Sequence, residues 1–131
     1  RYNGWYDATG ETGAVEPLYE ADLGRYYDKF RKPIIVTEFG ADTIEGLHSL
    51  CSTAFSEEYQ CDYLAECCRV FDQMPYVVGE HVWNFADFKT KEGVLRVRGN
   101  RKGVFTKERE PKAAAFFLKK RWEKDIKNNR A

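Results

Sequence analysis

Apolar positions in the first forty residues follow two different rhythms. From Tyr19 they recur at Leu23, Tyr26, Tyr27 and Phe30, steps of three and four that mark one stripe of an α-helix. Pro17 sits near the first turn, where a missing N–H is tolerated. Directly afterwards Ile34, Ile35 and Val36 form an unbroken β-branched run, opened by Pro33 and closed by Gly40. That run predicts a strand over residues 32–40, buried on both faces. It ends in a carboxylate, Glu38. A Glu there could be paired with a nearby Arg, be wetted at the strand tip, or do chemistry.

The alternation then repeats. Ser56 is placed to cap a second helix, with Glu57 and Glu58 in a first turn that favours negative charge. Tyr59, Tyr63, Cys67, Val70 and Phe71 supply its inward face as far as about Gln73. Met74 and Pro75 end it. A second strand is predicted over 76–84, through Val77, Val78, Val82 and Trp83. Residues 85–110 carry no clean period. Pro111 opens a third helix with Ala114, Leu118, Trp122 and Ile126 on one stripe, and a polar tail follows.

Helices alternating with strands imply an α/β fold of parallel strands joined by helical crossovers. Two strands alone leave sheet edges bare and faces half covered. The expectation is therefore a piece of a larger α/β domain. The helix-to-strand turns, 31–33 and 74–75, are very short, whereas the segments after each strand are long. In (β/α)8 barrels the loops that follow the strands build the active face. A doubly wound sheet obeys a similar rule but usually shows a Gly-rich phosphate turn, and none is present.

Composition narrows the classes. A chain of 131 residues with 43% hydrophobic residues suits one ordered domain,. Formal charge is zero, which gives no pull toward nucleic acid or an anionic membrane, and no apolar run approaches a membrane span. Cys51, Cys61, Cys67 and Cys68 lack the spacing of a zinc site,. Reduced thiols and the absence of an Asn-x-Ser/Thr acceptor fit a cytoplasmic protein. The chain starts at Arg1 and runs straight into an aromatic stretch, which suggests the C-terminal piece of something longer.

Glu38 and Trp83 both fall at the elaborated end of the strands, with Tyr2 and Tyr6 preceding the first helix. The last loop adds Arg96, Arg98, Asn100, Arg101 and Lys102 between and beside Gly99 and Gly103. A carboxylate, flat aromatic faces, phenols and a cationic turn together describe a carbohydrate site. Each part also has a plainer reading: Trp83 as core, Tyr2 and Tyr6 as packing, the basic loop as solvated surface. His48 and His81 stand isolated. Glu80 differs in parity from Trp83 and should point to the other face, which argues against it as a second acid.

Four stretches carry a resemblance. Thr37-Glu38-Phe39-Gly40 resembles the nucleophile motif of family 2 of the glycoside hydrolases. Residues 78–88, Val-Gly-Glu-His-Val-Trp-Asn-Phe-Ala-Asp-Phe, are similar to that family's last barrel strand. Residues 1–6 resemble the end of its sixth strand, although Asn3 stands where an aromatic is common. Asn100-Arg101-Lys102 resembles the Asn-x-Lys element that marks the β-glucuronidases within the family.

The resemblance implies the C-terminal portion, about the last three β/α units, of a (β/α)8 TIM barrel, from the end of strand 6 to helix 8 across residues 1–131. It implies retaining hydrolysis of β-D-glucuronides through a covalent intermediate on Glu38. Tyr2 would hydrogen-bond Glu38, Tyr6 and Trp83 would hold the sugar ring, and Arg96, Asn100 and Lys102 its carboxylate. No cofactor or metal is implied. The partners implied are a glucuronide, the rest of the same polypeptide and further copies in a homo-oligomer, with neither nucleic acid nor membrane. The acid/base of the family, an Asn-Glu pair, has no counterpart here, so it would come from upstream and the piece alone would be inactive. Alternatives are a family member acting on another β-glycoside, such as a β-galacturonide, β-galactoside or β-mannoside, and a non-catalytic half-barrel interaction module.

Overall fold

The computed structural model describes residues 2–128, with side chains described as far as Lys124. After a short 3-10 turn, Thr12–Ala14, the elements are α1 (Val15–Phe30), β1 (Ile34–Phe39), α2 (Glu57–Gln73), β2 (Val77–Val82) and α3 (Ala113–Asn128). β1 and β2 pair in parallel, with Ile34 opposite Val77 and Phe39 opposite Val82. Parallel neighbours need a crossover, and α2 supplies it.

Local chemistry explains the boundaries. α1 ends where Arg31 turns left-handed and its N–H closes on the Tyr27 carbonyl at 2.8 Å. Pro33 then forbids continuation. α2 begins where the Ser56 hydroxyl accepts from the Tyr59 N–H at 3.1 Å, as its predicted cap position requires. The second strand is shorter than the predicted 76–84, because Trp83 leaves the ladder after donating its N–H to the Phe39 carbonyl.

The core lies on the helical side of the sheet. Val15, Tyr19 and Leu23 of α1, Val36 and Phe39 of β1, the inward face of α2, and Ala114 and Leu118 of α3 are all buried in it. Phe39 and Tyr19 each meet Phe71 edge-on, with ring centroids 5.2 and 5.0 Å apart. Such pairs contribute about 0.5–1.5 kcal/mol beyond the area they bury. Tyr59, Tyr63, Cys67, Val70 and Phe71 are buried as their spacing predicts.

Three expectations are corrected. Tyr26 and Phe30 are exposed and stack on one another on the outer side of α1; the inward stripe is set by Val15, Tyr19 and Leu23. Trp122 is 39% exposed, and its indole turns toward Glu80; Ile126 lies outside the described side chains. β1 is buried on one face only, for Ile35 is 54% exposed and Val78 on β2 is 62% exposed. A register shift between Val36 and Phe39 also breaks the simple alternation. It lets both of those side chains enter the core while Thr37 and Glu38 both face out,.

The segments 40–56 and 83–112 gather at the C-terminal ends of the strands. Residues 100–104 form the middle of this layer. Asn100 pairs with Phe88, Lys102 accepts from the Asn84 N–H at 3.0 Å, and Arg101 accepts from the Thr43 N–H at 2.9 Å. Gln60 of α2 adds its amide to the Ala41, Lys102 and Gly103 carbonyls. The two loops are thus tied to each other and to the crossover helix. Among the described residues no helix is long and apolar enough to cross a membrane.

Candidate active site

The turn at residues 2–5 starts the site. Trp5 donates its N–H to the Tyr2 carbonyl at 2.9 Å, with Gly4 at φ +80°. A Cβ at Gly4 would stand 2.7 Å from the Val15 side chain. Glycine is therefore needed both for the conformation and for the packing. The tight turn sends Tyr2, Trp5 and Tyr6 toward the strand ends. Asn3 points the other way: it is buried, its amide reaches the Leu18 carbonyl at 3.4 Å, and its own carbonyl accepts from the Tyr63 hydroxyl.

Glu38 accepts a hydrogen bond from the Tyr2 hydroxyl at 2.7 Å. Burial, then the adjoining carboxylate, raises the Tyr2 phenol well above its ordinary range, so it remains a donor. The Tyr2 ring in turn lies within 5.2 Å of the Lys102 ammonium, which also approaches the rings of Tyr6 at 4.7 Å and Trp5 at 5.6 Å. Three aromatic faces around one cation form a cage.

Lys102 is 1% exposed, so its charge needs a partner,. Asp42 supplies it, in direct contact with the ammonium, and also accepts from the Trp5 indole at 3.1 Å and the Arg101 backbone N–H at 3.0 Å. The Tyr6 hydroxyl accepts from both Lys102 and Arg96 at 2.8 Å. With its oxygen facing two cations, its own proton is polarised for donation to a ligand. The Tyr6 bond also raises the Arg96 guanidinium further above its ordinary value. Asn100 is buried and accepts from the Lys102 backbone N–H at 3.0 Å, which uses its amide oxygen and not its two N–H donors. In this loop Gly99 takes a positive φ, at +107°, and Gly103 does not. Gly103 is needed for close approach, since a Cβ there would lie 2.2 Å from the Asp87 nitrogen.

Trp83 stands one residue past β2, half-buried and edge-on to Phe88 at 6.1 Å. Its carbonyl passes so near Gly40 that a Cβ on Gly40 would be 2.1 Å away. That contact explains why glycine closes the Thr37–Glu38–Phe39 run. The structure therefore brings Tyr2, Glu38, Tyr6, Arg96, Asn100 and Lys102 into one connected network, with Trp83 beside it on the neighbouring strand.

Sequence reading missed four residues of this layer: Trp5, Asp42, Asp87 and Lys112. Lys112 did carry a signal, because a cation in the first turn of a helix faces the positive end of the dipole and needs a reason to be there. Here its ammonium lies 2.9 Å from the Asp87 carboxylate. The signal for Asp42 was weaker: one acid among several in a long loop.

Chemically, the site offers a carboxylate exposed on the open side of the sheet, one neutral donor upon it, aromatic faces, and two cations close by. It suits a sugar that carries an anion. A second carboxylate free to exchange protons beside Glu38 is not among the described residues: Asp42 is bound to Lys102, and Glu80 to Arg121 and Trp122.

Residues 1–127 match the family model described as "Glycosyl hydrolases family 2, TIM barrel domain". The chain is 50% identical over 122 residues to the β-glucuronidase of Paenibacillus borealis, covering 93% of this chain and 20% of that protein. It is 45% identical over 123 residues to the mouse β-glucuronidase, 92% of this chain and 19% of that one. Among solved structures, the β-D-glucuronidase of Dictyoglomus thermophilum superposes with a TM-score of 0.91 at 51% identity, covering 95% of this chain and 22% of that chain. A β-glucuronidase from Ruminococcus gnavus in complex with uronic deoxynojirimycin superposes with a TM-score of 0.87 at 52% identity, covering 93% and 22%. The chain spans about a fifth of the length of these relatives.

Proposed function

We propose that this chain, which belongs to family 2 of the glycosyl hydrolases as part of the TIM barrel domain, is the segment of a retaining β-glucuronidase that carries the nucleophile and reads the substrate's carboxylate. We read it as about the last three β/α units of the barrel, from the end of strand 6 to helix 8. The observation that carries the proposal is the connected path from Glu38 through Tyr2 to caged Lys102. The path supports reading Glu38 as the nucleophile and Lys102 as the group that meets the substrate's anion.

In this reading the Tyr2 hydroxyl holds the Glu38 carboxylate aimed. A Glu38 oxygen attacks the anomeric carbon as the bond from that carbon to the aglycone oxygen breaks. The leaving oxygen takes a proton from an acid/base carboxyl about 5 Å from Glu38. That group comes from another part of the full-length protein, so this segment alone turns over no substrate. Water then attacks the anomeric carbon, gives its proton to the same acid/base, and frees Glu38, leaving the anomeric configuration retained. Lys102, Arg96 and the Asn100 amide hold the sugar carboxylate, and Tyr6 and Trp83 hold the ring. A fixed anion calls for fixed cations where water is excluded.

The test is covalent trapping. An activated 2-fluoro-glucuronide given to the full-length protein should leave its label on Glu38, found by peptide mass spectrometry. Label on another carboxylate, or trapping only by a fluoro-glycoside without the uronic acid, overturns the proposal.

A further inference from the structure

Lys112 is as deeply buried as Lys102, at 1% exposure, yet no step described above touches it. Its ammonium donates to Asp87 Oδ1 at 2.9 Å, to the Arg101 carbonyl at 3.2 Å and to the Thr43 carbonyl at 3.2 Å. Asp87 Oδ1 also accepts from the Gly103 backbone N–H at 2.9 Å. One ion pair thus grips the backbone on both sides of Lys102: the Arg101 carbonyl before it and the Gly103 N–H after it. The third carbonyl, from Thr43, belongs to the residue after Asp42, the carboxylate that Lys102 pairs with.

Net stability is a poor explanation for this pair. Burial raises Asp87 and lowers Lys112 relative to their ordinary values. Desolvation therefore outweighs the attraction for both partners, and such a pair contributes little compared with an apolar replacement. What it does supply is direction. Three acceptors and two backbone segments are fixed around a single nitrogen, and Gly103 is packed so closely against residues 86–87 that a Cβ there would clash.

We propose that Asp87 and Lys112 are positioning residues for carboxylate recognition: by clamping the peptide groups that flank Lys102, they set the place of its ammonium relative to Glu38. The inference rests on the glucuronide reading above. Displacing a recognition group by about 1 Å can cost on the order of a hundredfold.

The test uses the full-length enzyme with Asp87→Asn, which has the same shape and still accepts from Gly103 but removes the charge that Lys112 needs, and with Lys112→Met. Each should lower kcat/KM on an aryl glucuronide by about ten- to a hundredfold, and by clearly more than on the matching aryl glucoside. Added to Lys102→Ala, Asp87→Asn should cost little further, because the group being positioned is gone. Equal losses on both substrates, or losses that add in full to that of Lys102→Ala, would show a purely structural role and overturn the proposal. If Lys112→Met does not fold, Asp87→Asn decides. Amide hydrogen exchange separates this proposal from the one it rests on. Asp87→Asn should speed exchange in a peptide spanning 100–106 relative to one spanning 57–73, whatever glycoside the enzyme prefers. Unchanged exchange at 100–106 defeats the clamp. An unmodified enzyme that ignores glucuronides defeats the assigned substrate instead.

Discussion

Glu80, in the middle of β2, reaches α3, where Arg121 donates from Nε at 2.7 Å and from Nη2 at 2.9 Å, and the Trp122 indole donates at 3.1 Å. Glu38, near the end of β1, accepts from the Tyr2 phenol, and among the described residues no cation pairs with it. Two carboxylates on adjacent parallel strands thus meet opposite treatment. The pairing with a nearby Arg that was one reading of Glu38 is met instead by Glu80. A guanidinium and an indole saturate it and couple β2 to α3. The one neutral donor on Glu38 orients the group and leaves its charge available, as a nucleophile requires.

The largest test of that contrast replaces each in the full-length enzyme. Glu38→Ala should reduce turnover by roughly four orders of magnitude or more, the scale of losing a nucleophile. Azide should restore turnover by forming a glycosyl azide of inverted configuration. Glu80→Ala should alter turnover by less than about threefold while costing about 1–3 kcal/mol of stability, because Arg121 and Trp122 lose a half-buried acceptor,. Comparable activity losses in the two variants would break the comparison.

Lys102→Ala comes next. It should lower kcat/KM on an aryl glucuronide by at least about a hundredfold, since the substrate anion is left without its partner in a dry site. The loss on the aryl glucoside should be much smaller. The structure adds a control, because removing Lys102 also strands Asp42. Asp42→Asn in the same background should recover thermal stability without recovering the glucuronide rate. Recovery of both would make Lys102 a structural residue.

Tyr2→Phe probes the single donor on Glu38. A hydrogen bond to a charged group contributes about 1.5–3 kcal/mol, which predicts roughly a ten- to a hundredfold loss in kcat/KM. Tyr2 is held above its ordinary pKa, so it keeps its proton through the alkaline range. Any alkaline limb of the pH–rate profile should persist in Tyr2→Phe. Its disappearance would mean that Tyr2 titrates in the reaction.

The smallest effect belongs to a third carboxylate, Glu58, which meets His48 at 2.8 Å on the surface. The pairing raises His48 above its usual value and depresses Glu58 to about 2. A raised histidine contributes stability that is fully present below its unfolded pKa and is lost as pH climbs through the folded one. His48→Ala should therefore melt slightly below the unmodified protein at pH 6, and the two curves should converge at pH 9 and in high salt. A gap that persists at pH 9 would assign the effect to packing instead of charge.

How much of this was legible depended on whether the determining contact was local. Helix starts and ends could be read from Ser56, Pro33 and Pro75, since capping and ring geometry act within a turn. The α2 stripe was legible because every third or fourth residue met one core. Tyr26 and Phe30 misled because apolar spacing shows which residues could share a face, while the sheet and α2 select the face that is buried. Glu38 and Lys102 stood out through their motifs. Tyr2 and Tyr6 came with the same resemblance, whereas Trp5 and Asp42 lie 97 and 60 residues from Lys102 in numbering, and no pattern along the chain joins them to it.

By itself, the sequence determined the order of helices and strands, the parallel pairing that this order requires, the strand end at which long loops collect, and the nucleophile candidate. All but the last follow from periodicity, turn chemistry and chain connectivity, which are properties of neighbours along the chain; the nucleophile candidate came from the resemblance carried by residues 37–40. Only the tertiary structure decided which carboxylate is saturated and which is open. It also decided that Lys102 is caged by three rings and balanced by Asp42, and that Lys112 and Asp87 grip the backbone beside it. A buried charge is tolerated only where several remote groups converge on it, and that convergence exists only once the chain has folded.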